Sequence, residues 1–348
     1  MLILTLMAAA ACTRVKTEEY RATPLQAKAV CSVDWSGVSG PSSTPFTVAA
    51  TRTMKAEHHF WEDVMPVSTG HPDTLSMGPG EYQTIFFVSG DMKAYKVENI
   101  DSFEENTEQS LREVTARLRS MPKDTLAKYF GGFEPMLVSY FDTIPPAPDL
   151  YQASARANLV AGETTTIGFK PVQLVQNLTF RIRIQIEGEL EIHRVVGCVT
   201  GLPDRVELLS GYYGVERMGQ ALFDMTKQSD GWWQGSLKTL GVKASSDATL
   251  KVGPGIFKVC AEVGPKHRRI ATPINIISYL EKQPSLIFTD VEGFYKGEAH
   301  SATYQIEETM TLKGSDTELS DDPAVIIWIE HGDGETGDII DGDDTDGP

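Results

Sequence analysis

The chain of 348 residues lacks the short motifs that mark common enzyme active sites. It has no P-loop, no GxGxxG after a strand pattern, no HExxH zinc motif and no GxSxG nucleophile elbow. Its seven histidines are scattered, and its four cysteines (Cys12, Cys31, Cys198 and Cys260) form no CxxC pair. We therefore predict a protein that is not an enzyme and that holds no cofactor and no metal.

Long apolar runs are also missing. Beyond the N-terminal segment, no stretch approaches the roughly 20 apolar residues that a spanning helix needs, so any membrane attachment must lie at the N-terminus. A hydrophobic content of 41% and a charged content of 23% are ordinary for a folded protein. The length of 348 residues fits two domains.

Positive charge is scarce, and the deficit is concentrated at the C-terminus. The formal net charge is -17, and the chain from Gly314 onward holds twelve acidic and no basic residues, which leaves about -5 for the rest. A mildly acidic body predicts no nucleic-acid partner. Residues 331–348, rich in Asp and Gly, predict an acidic disordered tail. Calcium binding is the alternative, although the Asp spacing does not fit an EF-hand loop.

The N-terminal sequence "MLILTLMAAAACTRVK" resembles a bacterial lipoprotein signal. It predicts a signal peptide over residues 1–11, cleavage between Ala11 and Cys12, a lipid on the Cys12 thiol, and a tether over residues 12–24. Two features depart from the pattern: no basic residue precedes the apolar run, and Ala9 stands where leucine is usual. A start codon further upstream would explain the first departure. The alternatives are an ordinary cleaved signal or a chance cysteine.

Alternating strand patterns dominate the chain beyond the tether. In residues 25–150, taken as an N-terminal domain, Ala29, Cys31, Val33 and Trp35 share one face of a predicted strand. Two short helices are predicted there, over residues 106–120 and 122–132. The proline-rich segment "DTIPPAPDL" predicts a linker and a domain boundary near residue 150.

Residues 151–330 are predicted to form a C-terminal domain with the clearest strand, "LTFRIRIQIEG". Its isoleucines and Phe180 alternate with polar residues, which is typical of an antiparallel sheet with one wet face. We therefore predict an all-β fold of two antiparallel β-sandwich domains, with one or two short helices in the first. Cys198 and Cys260 lie in strand patterns as buried thiols, with a disulfide between them as the alternative.

Two aromatic pairs are the candidate contact residues for a ligand or partner: Trp232–Trp233 and Tyr212–Tyr213. On a strand, one member of a pair points into the core and the other points out. An exposed ring can stack on a sugar or lie at the centre of a protein interface. The alternative is that the outward ring is covered by its neighbours.

The stretch "LTFRIRIQIEGELEIHRVVGCVTGLPDRVELLSG", followed by the strands "QALFDMT" and "GIFKVCAEV", resembles the C-terminal domain of the fimbrillin group. These are lipoprotein subunits of Bacteroides-type (type V) pili. The early "VDWSG" is similar to their first strand. The resemblance implies two transthyretin-like β-sandwich domains, export as a lipoprotein, and a role as anchor, tip or accessory subunit. The segment "DDPAVIIWIEH" is then expected to be the last strand of its own sandwich, with strand donation to another subunit as the alternative.

The expected function is a non-catalytic lipoprotein of the cell outer membrane, lipid-anchored and surface-exposed, with a structural or adhesive role. Its expected partners are the outer membrane through the N-terminal lipid, other pilus subunits, and a host protein or glycan. The alternative is a carbohydrate-binding surface lipoprotein of a glycan-uptake system. A hydrolase built on a β-sandwich is a third hypothesis, for which the sequence offers no selected pair of carboxylates.

Overall fold

A computed structural model of the chain describes residues 26–38, 46–53, 65–67, 74–99, 114–134, 137–139, 141–187, 190–213, 218–241, 256–276, 303–313 and 329–331. Cys12, the predicted signal and tether, and residues 332–348 of the predicted tail lie outside these ranges. Within the described ranges, no helix has the length and apolar character needed to cross a membrane.

Strands make up most of the described chain, which confirms the all-β prediction. In chain order they are β1 (Ala27–Val33), β2 (Phe46–Thr53), β3 (Met65–Val67), β4 (Thr74–Met77), β5 (Gly80–Ser89), β6 (Tyr95–Glu98), β7 (Thr115–Leu118), β8 (Asp142–Thr143), β9 (Leu150–Leu159), β10 (Thr164–Phe169), β11 (Val172–Gln173), β12 (Gln176–Glu187), β13 (Ile192–Pro203), β14 (Arg205–Glu207), β15 (Met218–Lys227), β16 (Trp233–Thr239), β17 (Ile256–Val263), β18 (Arg268–Asn275), β19 (Thr303–Lys313) and β20 (Ile329–His331). The described helices are α1 (Lys123–Phe130) and a 3-10 turn (Met92–Ala94).

The described residues divide into two compact units. Unit 1 contains those up to Val88 and the segment Ala153–Pro171. Unit 2 contains Ser89–Asn99, the described residues from 114 to 152, and all described residues from 172 onward. Each unit is thus discontinuous in sequence. The predicted domain boundary near residue 150 falls at the start of β9 and stays a prediction.

Unit 1 is a small sandwich of two sheets. One sheet has the order β10-β1-β4, and the other contains β9-β5-β2-β3. Phe86 of β5 stacks on Phe169 of β10 with 5.4 Å between ring centroids, and Trp35 meets Phe86 edge-on at 6.0 Å. Because Phe86 and Phe169 belong to different sheets, the two sheets face each other across these rings. Ala29 and Cys31 are buried, as the alternation in β1 predicts.

Unit 2 is built on one long sheet with the order β18-β17-β13-β15-β16-β12-β19-β20, with β8 beside β15. Most of its pairs are antiparallel, and two are parallel: β12 with β19, and β8 with β15. A second sheet has the order β14-β7-β6. Of the predicted last strand, Ile329–His331 form β20, which pairs with β19 of the same chain. Its role as the last strand of its own sandwich, with strand donation as the alternative, stays a prediction.

Strand β15 turns the long sheet back on itself. Its residues 218–225 pair with β13, whereas Thr226 and Lys227 pair with β16. Phe180 of β12 and Phe257 of β17 lie four strands apart in the sheet order, yet their ring centroids are 4.3 Å apart. The two halves of the sheet therefore pack face to face as a sandwich.

The Phe223 ring lies at the centre of this packing. It stacks on Phe180 at 5.2 Å and on Phe257 at 6.1 Å between centroids. It also covers two glycines on the strands that flank β15: a Cβ atom added at Gly197 would lie 2.4 Å from the ring, and one added at Gly235 would lie 2.7 Å from it. The two strands can accept the ring only because these positions carry no side chain.

Helix α1 covers the other face of β13, β15 and β17. It ends at Gly131 and Gly132, as predicted, and its last residue packs in a cluster made of Phe130, Phe133, Val196, Cys198, Leu222 and Cys260. The guanidinium of Arg194 lies over the rings of Phe130 and Phe133, at 5.6 and 5.4 Å from their centroids. Arg194 also pairs with Asp224 at 2.8 Å, which holds it in place.

Cys198 and Cys260 are free thiols beneath α1, so the structure contains no disulfide between them. Burial raises the pKa of Cys198 to about 12, and it raises the pKa of Cys260 as well. Because the thiolate is the reactive form, both side chains act as small apolar core residues.

The first predicted helix is wrong where the structure describes it. Residues 106–113 lie outside the described ranges, but Thr115–Leu118 forms β7 between β6 and β14. Ala116 stands opposite Val97 on one side and Val206 on the other. The apolar positions at 111, 114 and 118 fit a helix. In the structure, however, Val114, Ala116 and Leu118 are all buried, at the two-residue spacing of a strand. Tertiary packing here outweighs local propensity.

The Gly197→Ala variant tests the packing around Phe223. We expect it to lower the free energy of unfolding by about 1–3 kcal/mol, because the new methyl group overlaps the Phe223 ring. Urea unfolding followed by circular dichroism measures this change.

The matched control is Gly90→Ala in the same unit, where an added Cβ meets no atom within 4 Å. We expect it to stay within about 0.5 kcal/mol of the parent chain. Equal losses in both variants would contradict a specific role for the glycine beneath Phe223.

Candidate functional site

The strand β12 presents two arginines on the face opposite to the core. Ile182 is buried and stands opposite Trp233 of β16, and its neighbours Arg181 and Arg183 therefore point the other way. Arg183 is exposed, and Arg181 keeps 22% of its side chain accessible. This is the wet face that the sequence alternation predicted.

The turn between β15 and β16 brings Trp232 to the same face. Gly231 adopts a positive φ of 86°, and its N–H donates to the Gln228 carbonyl at 3.0 Å. The Asp230 carboxylate accepts from the Trp232 N–H at 3.1 Å. These bonds close a tight turn, so the position of the Trp232 ring is set by the backbone rather than by loose loop packing.

We name Arg181, Arg183, Asp230 and Trp232 the Arg–Trp platform. The guanidinium carbons of Arg181 and Arg183 each lie 5.1 Å from the centre of the Trp232 ring. Arg181 also donates to Asp230 at 2.7 Å. Contacts of this kind between a cation and an aromatic ring are worth roughly 0.5–1 kcal/mol at exposed sites. The platform is therefore a fixed, partly exposed group of aromatic and cationic side chains.

The two aromatic pairs that the sequence selected occupy different sheets. Trp233 is buried in the core on β16, while Trp232 is half-buried on the outer face. Tyr213 is buried and bridges to Val206 of β14, while Tyr212 is half-buried. Each pair thus has one inward and one outward ring, as its alternation predicts, and the structure does not combine the four rings into one surface strip.

The chemistry of the platform differs from that of a bare aromatic surface. The ring of Trp232 is already engaged by two guanidinium groups, so a sugar that stacks on it would compete with them. Arg183 is exposed and can donate hydrogen bonds to a carboxylate or another anionic group of a partner. The arrangement suits a polar protein surface or an anionic group better than a neutral sugar ring.

Unit 1 contains a separate polar cleft of about 600 Å³ that is lined by the neighbouring strands β5 and β9. Its described lining residues are Glu81, Tyr82, Gln83, Arg156, Ala157 and Asn158. Arg156 donates to the Gln83 side chain at 2.9 Å, and the Tyr82 hydroxyl donates to the Gly78 carbonyl at 2.9 Å. Carboxylate, amide and guanidinium groups of this kind can hydrogen-bond the hydroxyls of a small polar ligand.

Sequence reasoning missed Arg181 and Arg183 as members of a site, and it missed the cleft. The alternation in "FRIRIQI" places both arginines outward, but nothing in the sequence says that the Trp232 turn lies beside them. The Gln83–Arg156 contact joins residues 73 positions apart, for which a single sequence carries no signal. Among the described residues, no three His, Cys, Asp or Glu side chains are already gathered as a metal site.

No protein-family model matches the sequence, and no curated protein matches it. Solved structures do resemble it. A protein from Bacteroides ovatus that is proposed to be an adhesin matches with a TM-score of 0.50 at 10% identity, over 81% of this chain and 92% of that one. A second proposed adhesin, from Bacteroides thetaiotaomicron, gives 0.46 at 10% identity over 91% and 99%. The fimbrial anchor protein Mfa2 from Porphyromonas gingivalis gives 0.43 at 12% identity over 88% and 97%.

At identities of this size, likeness is a statement about fold. The match to the Bacteroides ovatus protein covers most of both chains, so the two share the course of the chain through their β-sheets. The all-β fold that the fimbrillin-type resemblance implied is shared with the Bacteroides ovatus protein.

A double-mutant cycle tests whether the contact between Arg183 and Trp232 contributes to the stability of the fold. We expect Arg183→Ala and Trp232→Ala to show a coupling of about 0.5–1 kcal/mol in the free energy of unfolding, because each change removes the same cation–ring contact. Urea unfolding of the parent, both single variants and the double variant gives the value.

The control cycle pairs Arg183→Ala with Trp233→Phe, whose ring lies on the opposite face of the sheet. These two changes should add within about 0.3–0.5 kcal/mol. Full additivity in the Trp232 cycle as well would show that the ring and Arg183 are near each other without interacting.

Proposed function

We propose that this chain is a non-catalytic cell-surface lipoprotein with a structural or adhesive role, comparable to fimbrial anchor, tip or accessory subunits. The observation that carries the proposal is the fold shared with the adhesin-like protein of Bacteroides ovatus over 81% of this chain. A mildly acidic body and the absence of enzyme motifs from the sequence are consistent with it.

The proposed anchor is a lipid on Cys12 that holds the chain at the outer membrane. Its support is the order of the N-terminal sequence: a short apolar run, the small residues ending at Ala11, and then one cysteine followed by a polar stretch. Residues 12–24 would act as the tether between the bilayer and the folded units. A lipid plus a tether leaves both units free to meet partners outside the membrane.

The proposed partners are other pilus subunits or a host surface molecule. The Arg–Trp platform is the proposed contact surface, because it presents the exposed guanidinium of Arg183 on β12 beside the Trp232 ring of the β15–β16 turn. Arginine and tryptophan are the residue types that most often dominate protein interfaces. Tyr212 remains a second proposed contact, while the burial of Trp233 and Tyr213 supports a core role for these two.

Replacement of Cys12 tests the anchor. We expect the native chain, expressed in a Bacteroides-type host, to fractionate with the outer membrane and to be cleaved when intact cells are treated with protease. The Cys12→Ala variant should be lost to the soluble fraction, because it has no thiol to carry a lipid. Membrane fractionation and immunoblotting measure both results.

Thr13→Ala is the matched control, since it changes the neighbouring residue and keeps the thiol. It should behave like the native chain. If Cys12→Ala and the native chain fractionate alike, Cys12 is not the anchor, and the lipoprotein part of the proposal fails while the fold-based part stands.

The polar cleft of unit 1 favours a second candidate function, the binding of a glycan. We expect Arg156→Ala to weaken binding of any oligosaccharide found on a glycan array by roughly 10- to 150-fold, since a lost charged hydrogen bond costs roughly 1.5–3 kcal/mol. Calorimetry with the hit measures the change. Lys96→Ala, an exposed residue of unit 2, is the control, and an array without any reproducible hit would rule this candidate out.

A further inference from the structure

Two histidines meet at one end of the long sheet of unit 2. His193 lies near the start of β13, and His267 ends the turn Gly264–His267 between β17 and β18. The register between β13 and β17 shifts between Ile192 and Arg194, so an irregularity falls at His193. The imidazole rings come to 4.5 Å between centroids, with 34° between their planes.

The backbone holds His267 in an uncommon conformation. Its φ is 52°, one of only two positive values among the described residues other than glycine. The His267 N–H donates to the Gly264 carbonyl at 3.0 Å, and the Gly264 N–H donates to the Glu191 carbonyl at 2.8 Å. A residue in the left-handed region costs free energy and persists where its surroundings enforce it, often at functional positions.

In each ring, one nitrogen makes a hydrogen bond to an acceptor oxygen of the protein. His193 Nε2 lies 2.8 Å from the Gly264 carbonyl oxygen, and His267 Nδ1 lies 2.7 Å from the Glu262 carboxylate. In the neutral rings these nitrogens carry the protons and donate. The lone pairs are then on His193 Nδ1 and His267 Nε2.

This is the hydrogen-bond pattern of metal-binding histidines. In metal sites, the ring nitrogen away from the ion donates to a carboxylate or to a backbone carbonyl, which sets the tautomer and orients the ring. His267 has the carboxylate type of partner and His193 the carbonyl type. Glu262 is further held by Arg269 Nε at 3.3 Å, so the carboxylate that orients His267 is itself fixed.

A third ligand, the carboxylate oxygen of Glu191, lies close to the His193 ring. The Glu191 carboxylate lies 4.0 Å from His193 Nδ1, and its side chain is 79% exposed, so it can turn without disturbing the core. His267 is also exposed, at 60% of its side chain, whereas His193 keeps 25%. The site is thus open to solvent on the side of Glu191 and His267, which leaves room for water ligands.

We propose that His193 and His267, together with Glu191, bind one divalent transition-metal ion of the copper, nickel and zinc class. Imidazole nitrogen is a preferred ligand for these ions.

Binding requires a small rearrangement. The three ligand groups are not yet gathered around one point, and rotation of the exposed His267 and Glu191 side chains would bring them together. The ion would tie the start of β13 to the β17–β18 turn. The site does not depend on the proposed surface role, because it is argued from contacts within unit 2 alone.

Calorimetric titration of the full chain, without a histidine tag, with NiCl₂ tests the proposal. We expect one site per chain. His193→Gln and His267→Gln should each weaken it at least tenfold, because losing even an outer partner of a ligand costs about 10–100-fold in affinity. Glu191→Gln should weaken it severalfold and should leave folding intact, since this side chain is mostly exposed.

His331→Gln is the matched control, because it removes one imidazole at another place in the chain. It should leave the affinity unchanged. Circular dichroism shows whether the histidine variants still fold. If either variant does not fold, the electron paramagnetic resonance spectrum of the native chain with one equivalent of CuCl₂ gives the number of nitrogen ligands instead. Two nitrogen ligands support the site, whereas one or none overturns it, as does unchanged Ni²⁺ affinity in the folded variants.

Discussion

The placement of the Phe223 ring is the constraint on which unit 2 depends. The ring needs bare backbone on both flanking strands, and Gly197 and Gly235 provide it. It then stacks with Phe180 and Phe257, so three aromatic residues from distant parts of the sequence meet in one place. This packing folds the long sheet over at β15. Leu222, one residue before Phe223, points to the opposite face of the sheet and packs in the cluster beneath α1. The course of β15 therefore affects the packing on both faces.

The surface features result from the same alternation. Because Phe180 and Ile182 face the core, Arg181 and Arg183 face outward beside the turn that carries Trp232. Aromatic side chains therefore act in two ways in this protein. In the core they exclude water and define the sandwich, and on the outside the Trp232 ring lies against the guanidinium groups of Arg181 and Arg183.

A shared fold and an N-terminal sequence pattern together support the proposed surface role. The fold alone hosts many activities, and it is the sequence around Cys12 that directs the proposal toward a membrane surface. A protein exposed outside the cell would meet metal ions and glycans, and the histidine pair and the polar cleft of unit 1 are the places where the described chain offers ligands for them. These two sites lie in different units and can be tested separately.

Sequence by itself determined the fold class and the position of many strands along the chain, because period-two alternation bounded by turn residues is a local signal. It also predicted that each aromatic pair has one inward and one outward ring, and the structure identifies Trp233 and Tyr213 as the inward ones. Only the tertiary structure decided that residues 115–118 form a strand, because pairing on both edges outweighs a helical spacing of apolar residues. The Arg–Trp platform, the Gln83–Arg156 contact and the His193–His267 pair likewise join residues 49 to 74 positions apart, and such meetings depend on sheet register, which one sequence does not specify.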